Sequence, residues 1–222
     1  MTNTQNPPDA RPLFVSALDQ LSLLMNDVTP ADLDRPTPCE GWAVRDLLAH
    51  LVGVENRIVH IAGGGTPAEM PAHVSGIADD GWAAAWNDRL EPLRTVVADT
   101  DPARMVVHPA GTMPWAIAIG IYASELVTHT WDLARALGVD DTLNQQLAAG
   151  VLPQMQRALP PEPRGAEIGV PFGPVVAVGA DATPTKPSSA GWGATRSGHA
   201  PDAPHDKALL ISSALSSTAG QD

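Results

Sequence analysis

The sequence predicts an all-α fold: a helical bundle of four principal helices, a small β-hairpin before the fourth, and an irregular C-terminal tail. Three observations carry that expectation. Apolar residues recur at three- and four-residue spacing in separate stretches, and glycine or proline closes each stretch. After about Pro160 the pattern gives way to Pro, Gly, Ser, Thr and Ala, with periodic apolar residues only from Ala208 to Leu215. A chain of 222 residues suits one domain plus an appendage, expected at residues 1–175 and 176–222.

The elements follow in order. Phe14, Leu18, Leu21 and Met25 share a helical face, so the first helix is expected from Pro12 to Val28, ending at Thr29-Pro30. A loop with Pro36, Pro38 and Gly41 leads to a second helix, Ala43 to Ala62, broken by Gly63-Gly64-Gly65. Trp82, Trp86, Leu93 and Val97 mark a third, Gly81 to Ala98, stopped by Asp101-Pro102. Met105 to His108 reads as an extended segment turning at Pro109-Ala110-Gly111. The fourth helix is expected from Pro114 to Leu137, with Pro in its first turn and Gly138 as its C-terminal cap. A shorter fifth would start at Asp141-Thr142 and reach Leu159 before Pro160-Pro161.

Composition narrows the function. Lys and Arg total 13 against 25 Asp and Glu, and a net charge of −12 repels phosphate backbones and anionic lipid, which argues against nucleic acid as a partner. The longest apolar run, Trp115 to Ala123, is too short for the roughly twenty residues a membrane helix needs. The single cysteine, Cys39, cannot form an internal disulfide, and the N-terminus has neither a basic nor an apolar run; a cytoplasmic protein is expected.

The chemistry concentrates in the fourth helix. Glu125 and His129 lie four residues apart, so a carboxylate and an imidazole project from one face, a pair able to grip one divalent ion. Ala118, Ile121, Tyr122 and Ala136 put that face on the apolar side, where a carboxylate needs a partner. In the second helix His50 sits among Leu47, Leu51, Val54 and Ile58 and points inward. Two His and one Glu meeting in a bundle resemble a reactive zinc site, with a coordination position left for water or substrate. Asp132, in the same arc, would orient a ligand imidazole or lie exposed near the helix end. The plainer alternatives are an i,i+4 hydrogen bond for Glu125 and His129 and a backbone-bonded core imidazole for His50. Tyr122 and the tryptophans read as packing, Cys39 as structural, and His60, His73, His108, His199 and His205 as ordinary surface or loop residues.

Thr37-Pro38-Cys39-Glu40-Gly41-Trp42, Asp46-Leu47-Leu48-Ala49-His50-Leu51 and the run His129 to Gly138 together resemble the DinB-like superfamily. Within it they resemble the metal-binding domain of mycothiol-dependent maleylpyruvate isomerase and its single-domain actinobacterial relatives, over roughly residues 10 to 175. The resemblance implies a four-helix bundle and a divalent metal, typically zinc, at His50, Glu125 and His129. It also implies mycothiol as a thiol cosubstrate. The isomerase's second, sterol-carrier-like domain has no room in this chain, so a related thiol transfer is expected rather than maleylpyruvate isomerisation. Relatives tend to close on an amphipathic segment ending in Gly-Arg-Asp-Pro, whereas here Ala182 to Gly191 is rich in Pro, Ser and Thr. A frameshift after about Ala180 would account for this, and the coding DNA decides it.

The expected function is activation of a low-molecular-weight thiol at a divalent metal for attack on a small electrophile, adding to it, displacing a leaving group or isomerising it. The same site could activate water. The rival from another class is a non-catalytic bundle that binds metal or ligand as a sensor or partner-binding module. Two His and one Glu also suit nickel, cobalt, manganese and iron, and the exposed faces of a bundle are compatible with a homodimer.

Overall fold

The computed structural model describes residues 9–158. Five helices form the bundle: α1 (Arg11–Asp27), α2 (Val44–Ala62), α3 (Trp82–Asp99), α4 (Trp115–Leu137) and α5 (Gln145–Ala158), with the hairpin β1 (Met105–His108) and β2 (Gly111–Pro114) before α4. The all-α bundle with its small hairpin is thus as the apolar spacing predicts. The expected tail over 176–222 and the frameshift after about Ala180 lie outside the described residues. No described helix is long and apolar enough to cross a membrane.

Side-chain partners fix the helix directions. Arg94 of α3 pairs with Asp19 of α1, and the Asn87 amide donates to Asn26 Oδ1 at 2.7 Å, so α1 and α3 run oppositely. Arg45 at the start of α2 pairs with Asp79 just before α3, and Arg89 acts electrostatically on Glu55, so α2 and α3 run the same way. Their connection, residues 63–81, must therefore travel the length of α2. It does so in contact with that helix: the Val74 N–H donates to Ala49 O at 3.1 Å. A Cβ on Gly53 would lie 2.7 Å from Ala72 O, so glycine is what lets the loop lie so close.

The predicted apolar stripes form the core. Phe14, Leu18, Leu21 and Met25 of α1, Leu47, Leu51 and Ile58 of α2, and Trp86 and Trp115 are all fully buried. Each is worth about 1.5–3 kcal/mol of transfer free energy. The Trp86 indole N–H donates to Ser22 Oγ at 2.9 Å, which satisfies the one polar atom that its burial would strand. Not every polar group in this interior is satisfied. Glu55, on the side of α2 toward α3, has no exposed surface, and neither carboxylate oxygen has a hydrogen-bond partner among the described residues. Burial pushes its pKa up to about 9, only partly opposed by the Arg89 charge.

The hairpin pairs Met105 with Pro114 through His108 with Gly111, with Gly111 at φ 119°. Its alternation buries Val106 and His108 and exposes Met105 and Val107. Gly138 closes α4 in the left-handed region, φ 79°, as its position predicts. The fifth helix departs from expectation at its start. Asp140–Thr142 form a single 3₁₀ turn, and Leu143 is extended and buried. Asn144 then caps α5 by accepting the Gln146 N–H at 3.0 Å. Burial of Leu143 forces the break, so Gln145 rather than Asp141 begins the helix.

Candidate metal centre

α2 and α4 run antiparallel, which brings His50 opposite the Glu125–His129 turn. His50 Nε2 lies 3.0 Å from Glu125 Oε1, and His129 Nε2 lies 3.3 Å from the same oxygen. One ligand atom from each of the three residues falls within 4.8 Å of the other two. His129 is fully buried, His50 nearly so, and Glu125 half-buried. All three residues singled out from the sequence therefore meet.

Asp132 proves buried rather than exposed, and its Oδ2 sits 2.8 Å from His129 Nδ1. A carboxylate only accepts, so Nδ1 carries the hydrogen and Nε2 keeps its lone pair toward Glu125. In the neutral ring that nitrogen offers its lone pair beside the Glu125 oxygen 3.3 Å away. Two imidazole nitrogens with one carboxylate, gathered within 4.8 Å of one another, are a donor set suited to zinc. The residues present fit a divalent ion.

The segment before α2 supplies a wall and a support. Residues 39–42 turn tightly, with Trp42 N–H donating to Cys39 O at 3.0 Å and Gly41 at φ 76°, a conformation that favours glycine. This turn places the Trp42 ring 5.1 Å from that of His50 and stacked 6.3 Å from that of His129. It also buries Cys39, whose Sγ lies 3.3 Å from Asp132 Oδ2 and 4.0 Å from His129 Nδ1. Cys39, His129 and Asp132 form a second group with ligand-like spacing. Burial raises the Cys39 pKa, which keeps a protonated thiol that donates to Asp132. The first group suits a cation better, because the second would need the thiolate of a cysteine whose pKa burial raises.

Several neighbours escaped sequence reasoning. His73, expected to be an ordinary loop residue, is exposed beside the cluster, its ring 5.4 Å from that of His50 and 4.9 Å from that of Trp42. It arrives on the long α2–α3 connection, and no spacing rule reaches across a loop. His108 is buried rather than a surface residue, with its ring 4.8 Å from that of Tyr122. Alternation along β1 from Val106 was the available signal. Cys39, expected to be structural, lies beside the cluster, and only its place in the Thr37–Trp42 motif points there.

Residues 14–134 match the family described as the mycothiol maleylpyruvate isomerase N-terminal domain. Two uncharacterized proteins from two strains of Mycobacterium tuberculosis are each 31% identical to the chain over 156 residues, covering 70% of it and 81% of the relative. Among solved structures, the crystal structure of the mycothiol-dependent maleylpyruvate isomerase superposes with a TM-score of 0.51 at 18% identity, over 65% of this chain and 67% of that one. At that identity the likeness concerns the fold.

Proposed function

The chain belongs to the family of the mycothiol maleylpyruvate isomerase N-terminal domain, and on that basis we propose that it is a divalent-metal-dependent enzyme. It would activate a low-molecular-weight thiol of the mycothiol type for attack on a small electrophile, as a transferase or isomerase. The observation that carries the reading is Glu125 Oε1 held 3.0 Å and 3.3 Å from two imidazole nitrogens, one with its tautomer fixed by Asp132.

His50, Glu125 and His129 would hold the metal, most suitably zinc. A bound divalent ion supplies Lewis acidity that lowers the pKa of a thiol and makes it nucleophilic at neutral pH. Asp132 holds the Nδ1 hydrogen of His129 and so keeps Nε2 aimed at the ion, while the Cys39 thiol holds Asp132 from the other side. Trp42 walls the site with an apolar face, which strengthens electrostatic interactions by excluding water. A lone cysteine kept as a protonated donor agrees with a cytoplasmic setting.

The test is optical. In the cobalt-substituted protein, titration with mycothiol or a small thiol such as cysteamine is expected to produce a sulfur-to-cobalt charge-transfer band that saturates at one thiol per chain. A cobalt spectrum indifferent to thiol and to pH would overturn thiol activation and leave a closed metal-binding module.

A further inference from the structure

We propose that Arg57, Tyr122 and His108 form a carboxylate-binding subsite alongside the His50, Glu125 and His129 cluster. Assigning its occupant as the electrophile rests on the thiol-activation reading; the subsite itself does not. Arg57 follows His50 by seven residues on α2, and Tyr122 precedes Glu125 by three on α4, so each continues the face that carries the cluster. Because the helices are antiparallel, both continue toward the same end. β1 closes that end with His108, whose ring meets the Tyr122 ring edge-on at 4.8 Å.

The charges agree with this convergence. Arg57 acts electrostatically on both His108 and Tyr122, and so does Glu125. The four groups therefore share one electrostatic neighbourhood.

What marks the place as a ligand subsite is its unsatisfied hydrogen bonding. Tyr122 Oη and Arg57 Nε are buried without a hydrogen-bond partner among the described residues, and Tyr122 is only 3% exposed. An unpaired buried polar group costs about 1–3 kcal/mol, so two on adjoining helix faces call for a shared partner. His108 Nδ1 accepts the Ala110 N–H at 3.0 Å, which leaves the hydrogen of the neutral ring on Nε2. Burial lowers the His108 pKa to about 4 and raises that of Tyr122, so the ring stays neutral and the phenol keeps its proton at neutral pH. The three side chains then offer a guanidinium, a phenol O–H and an imidazole N–H, all donors. A carboxylate is the small group that accepts from such a set, and the planar guanidinium matches its two oxygens.

Glu125 acts on the same neighbourhood and repels an anion, so a cation at the cluster should tighten carboxylate binding. The experiment is calorimetric titration of the full-length protein, metal-free and zinc-loaded, with succinate and with its neutral diamide. Succinate is expected to bind both forms, the zinc-loaded more tightly, and at least about tenfold better than the diamide. Arg57→Met should weaken succinate binding about tenfold or more in both forms, and the conservative Tyr122→Phe about three- to tenfold. Equal binding of succinate and diamide, or an unchanged Kd in a folded Arg57→Met or Tyr122→Phe protein, would overturn the subsite. Its failure and that of thiol activation separate cleanly, since the cobalt spectrum reads thiol alone and the metal-free titration reads carboxylate alone.

Discussion

Replacing Glu55 with glutamine is expected to stabilise the protein, and by an amount that grows with pH. The carboxyl has no exposed surface and no hydrogen-bond partner among the described residues, and burial lifts its pKa from 4.5 to about 9. In the unfolded chain it ionises near the ordinary value; in the folded protein it stays protonated until far higher pH. The folded state therefore binds the extra proton between those limits, and stability is fully present below the unfolded pKa and falls as pH rises toward the folded one. At pH 7 the gap from 4.5 is about 2.5 pH units, each worth about 1.36 kcal/mol, so the group costs about 3 kcal/mol there. Glutamine copies the shape of the neutral acid and removes the titration. Urea unfolding at a series of pH values should show wild type and Glu55→Gln nearly equal at pH 4.5, with the variant ahead by about 3 kcal/mol at pH 7. The Tm difference at pH 7 should be roughly 6–12 °C. A variant no more stable than wild type at pH 7, or parallel pH profiles, would refute a protonated Glu55 in the folded interior.

Two further outcomes follow from the contacts. Asp132→Asn removes the charge that fixes the His129 tautomer at 2.8 Å and should weaken zinc binding about 10- to 100-fold with the fold intact, measured by competition with a chromogenic chelator. Gly53→Ala tests the loop's approach by the sign of its effect: helix propensity alone would stabilise by about 1 kcal/mol. The Ala72 carbonyl, 2.7 Å from the new Cβ, should instead make the variant less stable in denaturant unfolding.

The helices were legible because their apolar stripes repeat at the helical period and glycine or proline ends them. Phe14, Leu18, Leu21 and Met25 needed no other information. Glu125 and His129 were legible for the same reason, being one turn apart on a helix whose interior face was already marked. His50 required only that its apolar neighbours face the core. His73 and Cys39 were not legible in this way, because a turn and a long loop carry them to the site and no period links loop residues to a helix face. Asp132 was placed in the correct arc, but its burial depended on the packing of residues 39–42 against α4. Arg57 continues the His50 face, and Glu55 lies on the side toward α3. Their unusual character arises from what they fail to touch, which only the packed structure reveals. The start of α5 was misplaced because burial of Leu143 outweighed the helix-start signal of Asp141-Thr142.

If His50, Glu125 and His129 hold a divalent metal, the metal content of the purified protein shows it. Untagged protein would be measured by inductively coupled plasma mass spectrometry beside the His50→Ala and Glu125→Ala variants, with circular dichroism to verify helicity. About one metal ion per wild-type chain, lost in both variants while the helices persist, is the predicted result. A wild-type chain that takes up no metal even after incubation with zinc or nickel, or variants that retain it in full, would show that these three residues do not hold a metal.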